Sequence, residues 1–264
     1  MTHLAVDSSP RAAQLADPAV RAVGADDISA ALAAGLRDFR AAPTFGLLLG
    51  AVYVLGGNLL LWAAAASDLM FLVYPLAAGF ALIAPFAAVG LYEASRRIEQ
   101  GEPVDVASLV GRLPGHARRE IAHMALVSVF GLIVWVYAAG FVWALFFGPR
   151  PVALDDVVSM IVSTPRGVAF LMTGNLIGAV IATLIFSISV VSYPLLVDRD
   201  RDVVTAMITS IRVVVASPMV MLGWGVFVAT MLLVAILPMF LGLLVVLPWL
   251  GHASWHLYRR AVVD

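Results

Sequence analysis

The chain has 264 residues, 62% of them hydrophobic and 12% charged, with a mean hydropathy of +0.99 and a net charge of −1. Soluble domains are about 45–50% apolar and about 25% charged, so there is too little polar surface here to clothe a water-soluble globule. Disorder and a coiled coil need still more polar residues and are excluded with it.

There is no cysteine, which removes disulfides, iron–sulfur clusters and thiolate metal sites. All 16 basic residues are arginine. Residues 1–26 are rich in Ala, Asp, Ser and Pro and are expected to form a disordered cytoplasmic N-terminus with no secretory signal. Residues 27–264 are expected to form one transmembrane domain.

In the 27–41 segment, Ile28, Leu32, Leu36 and Phe39 share one face of a helix, with Arg37 and Asp38 elsewhere and Asp26 or Asp27 as N-cap. Pro43 then restarts the chain. Runs free of Asp, Glu and Arg follow at 41–67, 69–92, 121–149 and 167–197, each long enough for one crossing. The last run, 213–258, holds 46 residues. As one helix it would be about 69 Å long, more than twice the roughly 30 Å hydrocarbon core. It must fold back, and Pro238 places the reversal at Ile236–Met239.

The reading is therefore an all-α membrane protein with six transmembrane helices. They lie at about 44–66, 69–92, 121–146, 168–196, 219–236 and 239–257. Short amphipathic interfacial helices precede the first and fifth. The second of these, 203–216, has a stripe of Val204, Met207, Ile208, Ile211 and Val215, and an Asp of the Asp198–Asp202 run caps it. Packing on the bundle end is the alternative for both. Fourteen of the 16 arginines then fall on one side, which puts both termini in the cytoplasm of a bacterial inner membrane.

The chain also echoes itself. Pro85 precedes Arg96 and Arg97 by eleven and twelve residues, and Pro248 precedes Arg259 and Arg260 by the same distances. Each pair closes a hairpin that opens with an amphipathic segment and a proline, Pro43 or Pro218. Helices 1–2 and 5–6 read as parallel copies of one unit.

Candidate functional residues are few. Gly46/Gly50 and Gly174/Gly178 form GxxxG pairs suited to close helix packing, within the chain or in a dimer. Asn58 and Asn175 are the polar groups within spans, as interhelical hydrogen-bonding residues or as the lining of a solute path. No Asp, Glu or Arg lies inside a span, so no charged proton relay is visible. His252 and His256 are four apart, which stacks two imidazoles on one helix face as a candidate metal pair. Glu93, His116 or His123 would supply a third ligand. Trp255, Tyr258 and Arg259 beside them also suit a headgroup-level anchor. Both histidines of one face cannot ligate the same haem axially.

Four stretches carry a resemblance: Pro194–Asp200, Ala206–Arg212, Pro238–Gly242, and Pro248–Arg259 with its Gly-His-Ala-x-Trp-His-Leu-Tyr-Arg ending. Together they resemble a proteobacterial family of uncharacterised integral membrane proteins. The resemblance implies a six-helix inner-membrane protein. Some members are likened to subunit I of cytochrome c oxidase, which has roughly twice the spans and a distributed histidine set.

Three functions follow as expectations. The first is a non-enzymatic assembly, scaffold or interaction factor, partnered by the lipid bilayer and by a second copy or another membrane protein, with no nucleic acid and no cofactor. The second is a transporter or channel for a small neutral solute. The third is a component binding haem or a divalent metal at His252 and His256, associated with a respiratory oxidase.

Overall fold

The computed structural model describes residues 18–67, 79, 84–106, 114–148 and 154–263. The 1–17 part of the expected N-terminal segment and most of the expected second span, 69–92, lie outside the described residues.

A short strand, β1 (Ala19–Val20), leads into α1 (Ala25–Ala41) and α2 (Pro43–Ala66). The described chain resumes into α3 (Val89–Gln100), then α4 (Gly115–Phe147), α5 (Leu154–Ser163), α6 (Pro165–Ser189) and α7 (Ser192–Asp198). It ends with α8 (Val203–Ala216), α9 (Pro218–Ile236), α10 (Leu243–Ala261) and β2 (Val262–Val263). β1 and β2 pair antiparallel, Ala19 opposite Val263 and Val20 opposite Val262. Arg21 N–H donates to the Ala261 carbonyl at 2.9 Å and extends this clasp.

Four described helical stretches are long and apolar enough to cross a bilayer: Pro43–Ala66, Gly115–Phe147, Pro165–Asp198 and Pro218–Ile236. Their outer faces expose large apolar side chains, such as Leu55 and Trp62 on α2, Phe130 and Phe141 on α4, and Leu184 on α6. In water such surface would be unstable; in lipid it is solvated. The protein is an all-α membrane protein.

Several bounds differ from the expected spans, each for a local reason. α3 runs past residue 92 to Gly101, whose φ of +69° ends it in the left-handed conformation glycine adopts without cost. α4 starts six residues before 121 because Pro114 supplies its N-cap. The expected 168–196 helix breaks at Val190–Val191 into α6 and α7, and the Ser210 hydroxyl accepts from the Val191 N–H at the break.

The reversal around Pro238 occupies residues 237–242, so α10 begins four residues later than expected and continues to Ala261. Met239 and Phe240 have φ of +54° and +66°. The Asn58 side-chain amide donates to the Met239 carbonyl at 2.9 Å, and Gly242 N–H to the Ala235 carbonyl at 3.1 Å. These bonds hold a backbone that costs about 1–2 kcal/mol per residue for L-amino acids.

α1 and α8 each pack through small side chains. α1 turns Ala31, Ala34, Gly35 and Asp38 inward, while Ile28, Leu32, Leu36 and Phe39 are half-buried. α8 buries Ala206, Thr209, Ser210 and Val213 and leaves Val204, Ile208, Ile211 and Val215 exposed. The apolar stripe of α8 thus faces outward, and the small face that the stripe leaves over meets the protein. Close packing between helices in lipid favours small residues for this reason. The N-cap of α1 is Gly24, with Asp27 accepting from the Gly24 N–H at 2.9 Å. Asp202 caps α8, accepting from the Val204 and Thr205 N–H groups at 3.0 Å each.

The two proline restarts share one backbone geometry. Ala42 before Pro43 has φ −137° and ψ 66°, and Ser217 before Pro218 has φ −147° and ψ 62°. The packing partners differ, since α1 lies mainly on α10 and α8 on α6 and α7.

Candidate functional site

α10 is the central helix. It packs on α1, α2, α3 and α9, and its residues Leu243 to Ala261 are mostly buried. α1 reaches it closely because Gly35 has no Cβ; one there would meet the Ala253 backbone, 2.7 Å from its Cα. One turn away the Trp249 indole N–H donates to the Leu32 carbonyl at 3.0 Å. This approach carries Asp38 into the protein, where it is 7% exposed, among groups from α3 and α10.

The Asp38 carboxylate accepts twice through one oxygen, from His256 Nε2 at 2.7 Å and from the Ser95 hydroxyl at 2.6 Å. A serine has one proton. With that proton on the bond to Asp38, Ser95 Oγ accepts from His252 Nδ1, 2.7 Å away. His252 then carries its proton on Nδ1 and presents a bare Nε2, which is buried without a partner. The Trp255 indole N–H is buried and unpartnered as well.

The chain of contacts continues outward. His256 Nδ1 lies 3.5 Å from Glu99 Oε1, and Arg259 joins Glu99 at 3.3 Å to Asp198 at 3.2 Å. The Tyr258 hydroxyl donates to Asp198 at 2.6 Å. Four elements, α1, α3, α7 and α10, are thereby cross-linked by side chains.

Burial works against the charged form of Asp38, but the hydrogen bonds from His256 and Ser95 outweigh it. The carboxyl is held below the usual carboxylate range. Glu93 is 1% exposed and is bonded by Arg96 at 2.8 Å and Arg97 at 2.7 Å on its own helix.

The sequence-derived residues do not gather into one site. His252 and His256 share a face of α10 and are bridged through Ser95 and Asp38. The expected third ligands are held elsewhere: Glu93 by its two arginines, His116 by Asp200 at 2.6 Å, and His123 beside Glu120 at 3.4 Å. Among the described residues no group of three or more His, Asp or Glu is placed to hold a metal ion. His252 is 1% exposed and enclosed by α1 and α3, and the cavity described below is lined by neither histidine.

Asn58 holds the reversal loop, and Asn175 is exposed on α6, donating to its own helix at Leu171. Gly46 faces Pro248, where a Cβ would come to 2.6 Å of the ring, and Gly50 faces Leu244 at 2.7 Å, so this pair sits at the α2–α10 crossing. Gly178 faces the Trp135 indole of α4, whereas Gly174 has Val142 of α4 at a relaxed 3.9 Å.

Asp38, Ser95 and Glu99 are the site residues that sequence reasoning missed. Asp38 carried a signal: Ala31, Ala34, Gly35 and Asp38 form a small-residue stripe that ends in a carboxylate. Ser95 and Glu99 are four apart on α3, which is only a weak mark.

On the opposite face of α10, Leu247, Leu250, Gly251 and Ser254 border a cavity of about 410 Å³ shared with α6, α9 and the segment before α3. Its lining is mainly apolar.

Residues 73–198 match the model of a family described as "Predicted integral membrane protein (DUF2189)". The chain is similar to that family over just under half its length, and the Gly251–Arg259 motif lies beyond the match. No curated protein and no solved structure matches the chain. The chain is an integral membrane protein, and the family's function is unknown.

Proposed function

We propose that the protein is a non-enzymatic scaffold of the bacterial inner membrane, with six spans and both termini in the cytoplasm. Its clamped end would present α1 to a second copy or to another membrane protein. One observation carries the reading. The polar side chains with the most chemical potential, Asp38, Ser95, His252 and His256, are spent on each other, tying α1 to α3 and α10. Such a network makes a rigid platform.

Six spans are supported by the β1–β2 pairing, which brings residues 19–20 and 262–263 to the same end. An even number of crossings suits that placement. α10 would be the last, its 19 residues giving about 28 Å of helix. The cytoplasmic side is supported by the arginines at that end, including Arg21, Arg96, Arg97, Arg259 and Arg260.

The test is site-specific photocrosslinking in cells from Arg37 and Arg40, both exposed on α1. A discrete adduct, of twice the chain's mass for self-association or of another size for a partner, is expected. Absence of any adduct from either position would overturn the scaffold reading.

A further inference from the structure

We propose that the cavity beside α10 is a binding site for an uncharged, single-chain amphiphile, its polar end towards the clamp and its chain towards the middle of the membrane. This goes beyond the scaffold reading and rests on a different face of α10.

The polarity of the wall is graded. At one end lie Tyr92, Ser189 and Ser254; at the other lie Ala179, Leu232 and Leu247, with Thr183 between the two along α6. The polar end belongs to the ends of α6 and α10 that adjoin the arginine-rich connections, and the apolar end lies deeper in both helices. A lipid-like molecule is graded in the same way.

The polar end has unused capacity. Tyr92 is 2% exposed, lines the cavity, and its hydroxyl has no hydrogen-bond partner among the described residues. Ser254 donates to the Leu250 carbonyl and Ser189 to the Phe186 carbonyl, so each keeps acceptor capacity. The wall therefore offers both donors and acceptors, which matches a hydroxyl-bearing head. No charged side chain lines the cavity among the described residues, so an ionised head would lie unpaired in a low-dielectric wall.

The entrance is on the lipid side. Val226 is 67% exposed and Ala179 is exposed, and both belong to the wall. The volume falls within the roughly 300–1,000 Å³ usual for small-molecule sites. Trp224, 2% exposed in the same wall, provides a local reporter.

The experiment titrates purified full-length protein in detergent with the monoglyceride of dibromostearic acid, whose bromines quench indole fluorescence at short range. Saturable quenching is expected, with the saturable part lost in Trp224→Phe. Tyr92→Phe should weaken half-saturation roughly two- to tenfold, the worth of one net hydrogen bond. Ala179→Phe should abolish saturation by filling the entrance; if that variant does not fold, Tyr92→Phe still decides. Quenching that rises linearly and equally in all variants would mean bulk partitioning and overturn the proposal. Equal half-saturation by dibromostearate anion would overturn the neutral-head assignment. Either result leaves the crosslinking from α1 untouched, so the two readings fail separately.

Discussion

At Asp38 one carboxylate oxygen receives both His256 and Ser95. Its neighbours from each packed element are His252 and His256 of α10 and Ser95 of α3, with Glu99 beyond His256. Asp38→Ala removes the acceptor and strands a buried imidazole and a hydroxyl. Loss of one partner from a buried pair costs about 3–5 kcal/mol, so α1 amides should lose most of their hydrogen-exchange protection. The pH dependence has a defined sign. A carboxyl whose folded value is depressed contributes stability that is present above its unfolded value, about pH 3.9. That stability is lost as pH falls through the lower folded value. α1 should therefore loosen in acid, and Asp38→Asn should remove the acid step. His252 and His256 also separate. His252 uses one nitrogen and leaves the other bare, whereas His256 lies between two carboxylates. His256→Phe should lower the unfolding midpoint more than His252→Phe; equal losses would point to a shared ligand.

Among the elements, the α2–α10 crossing depends on Gly46 and Gly50. Leucine at either position would drive a side chain into Pro248 or Leu244. Overpacking of that kind costs about 1–3 kcal/mol, and the unfolding midpoint in detergent should fall accordingly, while Gly174→Leu, with Val142 at 3.9 Å, should cost less. This contrast also marks where the sequence was legible. Spacing alone treats both GxxxG pairs alike; what lies opposite them is a tertiary fact. The spans with clean charge-free runs, α2 and α9, begin and end within a residue of expectation, because proline at the first helical position fixes one boundary. α3 and α10 moved because polar residues that end a span do not end a helix. Glu93 to Glu99 and His256 to Arg260 remain helical, and those extra turns build the clamp. Hydrophobic periodicity set Asp38 apart from the bulky stripe of α1, which reads as a face laid on the bilayer surface. The small face of α1 packs on α10 and carries Asp38 inward, while the bulky stripe beside it is half-buried.

For the whole molecule, a reporter fused after Asp264 should be active in the cytoplasm and silent in the periplasm. The β1–β2 clasp and the Val23 N–H bond to Ser217, at 2.8 Å, join the N-terminal segment to both the C-terminus and the start of α9. α1 is thus held at its N-terminal end and, through Asp38, near its C-terminal end. Everything turns on whether the Asp38 contact is energetic. A double-mutant cycle on Asp38 and His256, read from unfolding in detergent with Asp38→Ala, His256→Ala and the double variant, measures it directly. The clamp predicts that the double variant is far less damaging than the sum of the singles, a coupling of about 1.5 kcal/mol or more. Additivity within about 0.5 kcal/mol would contradict it.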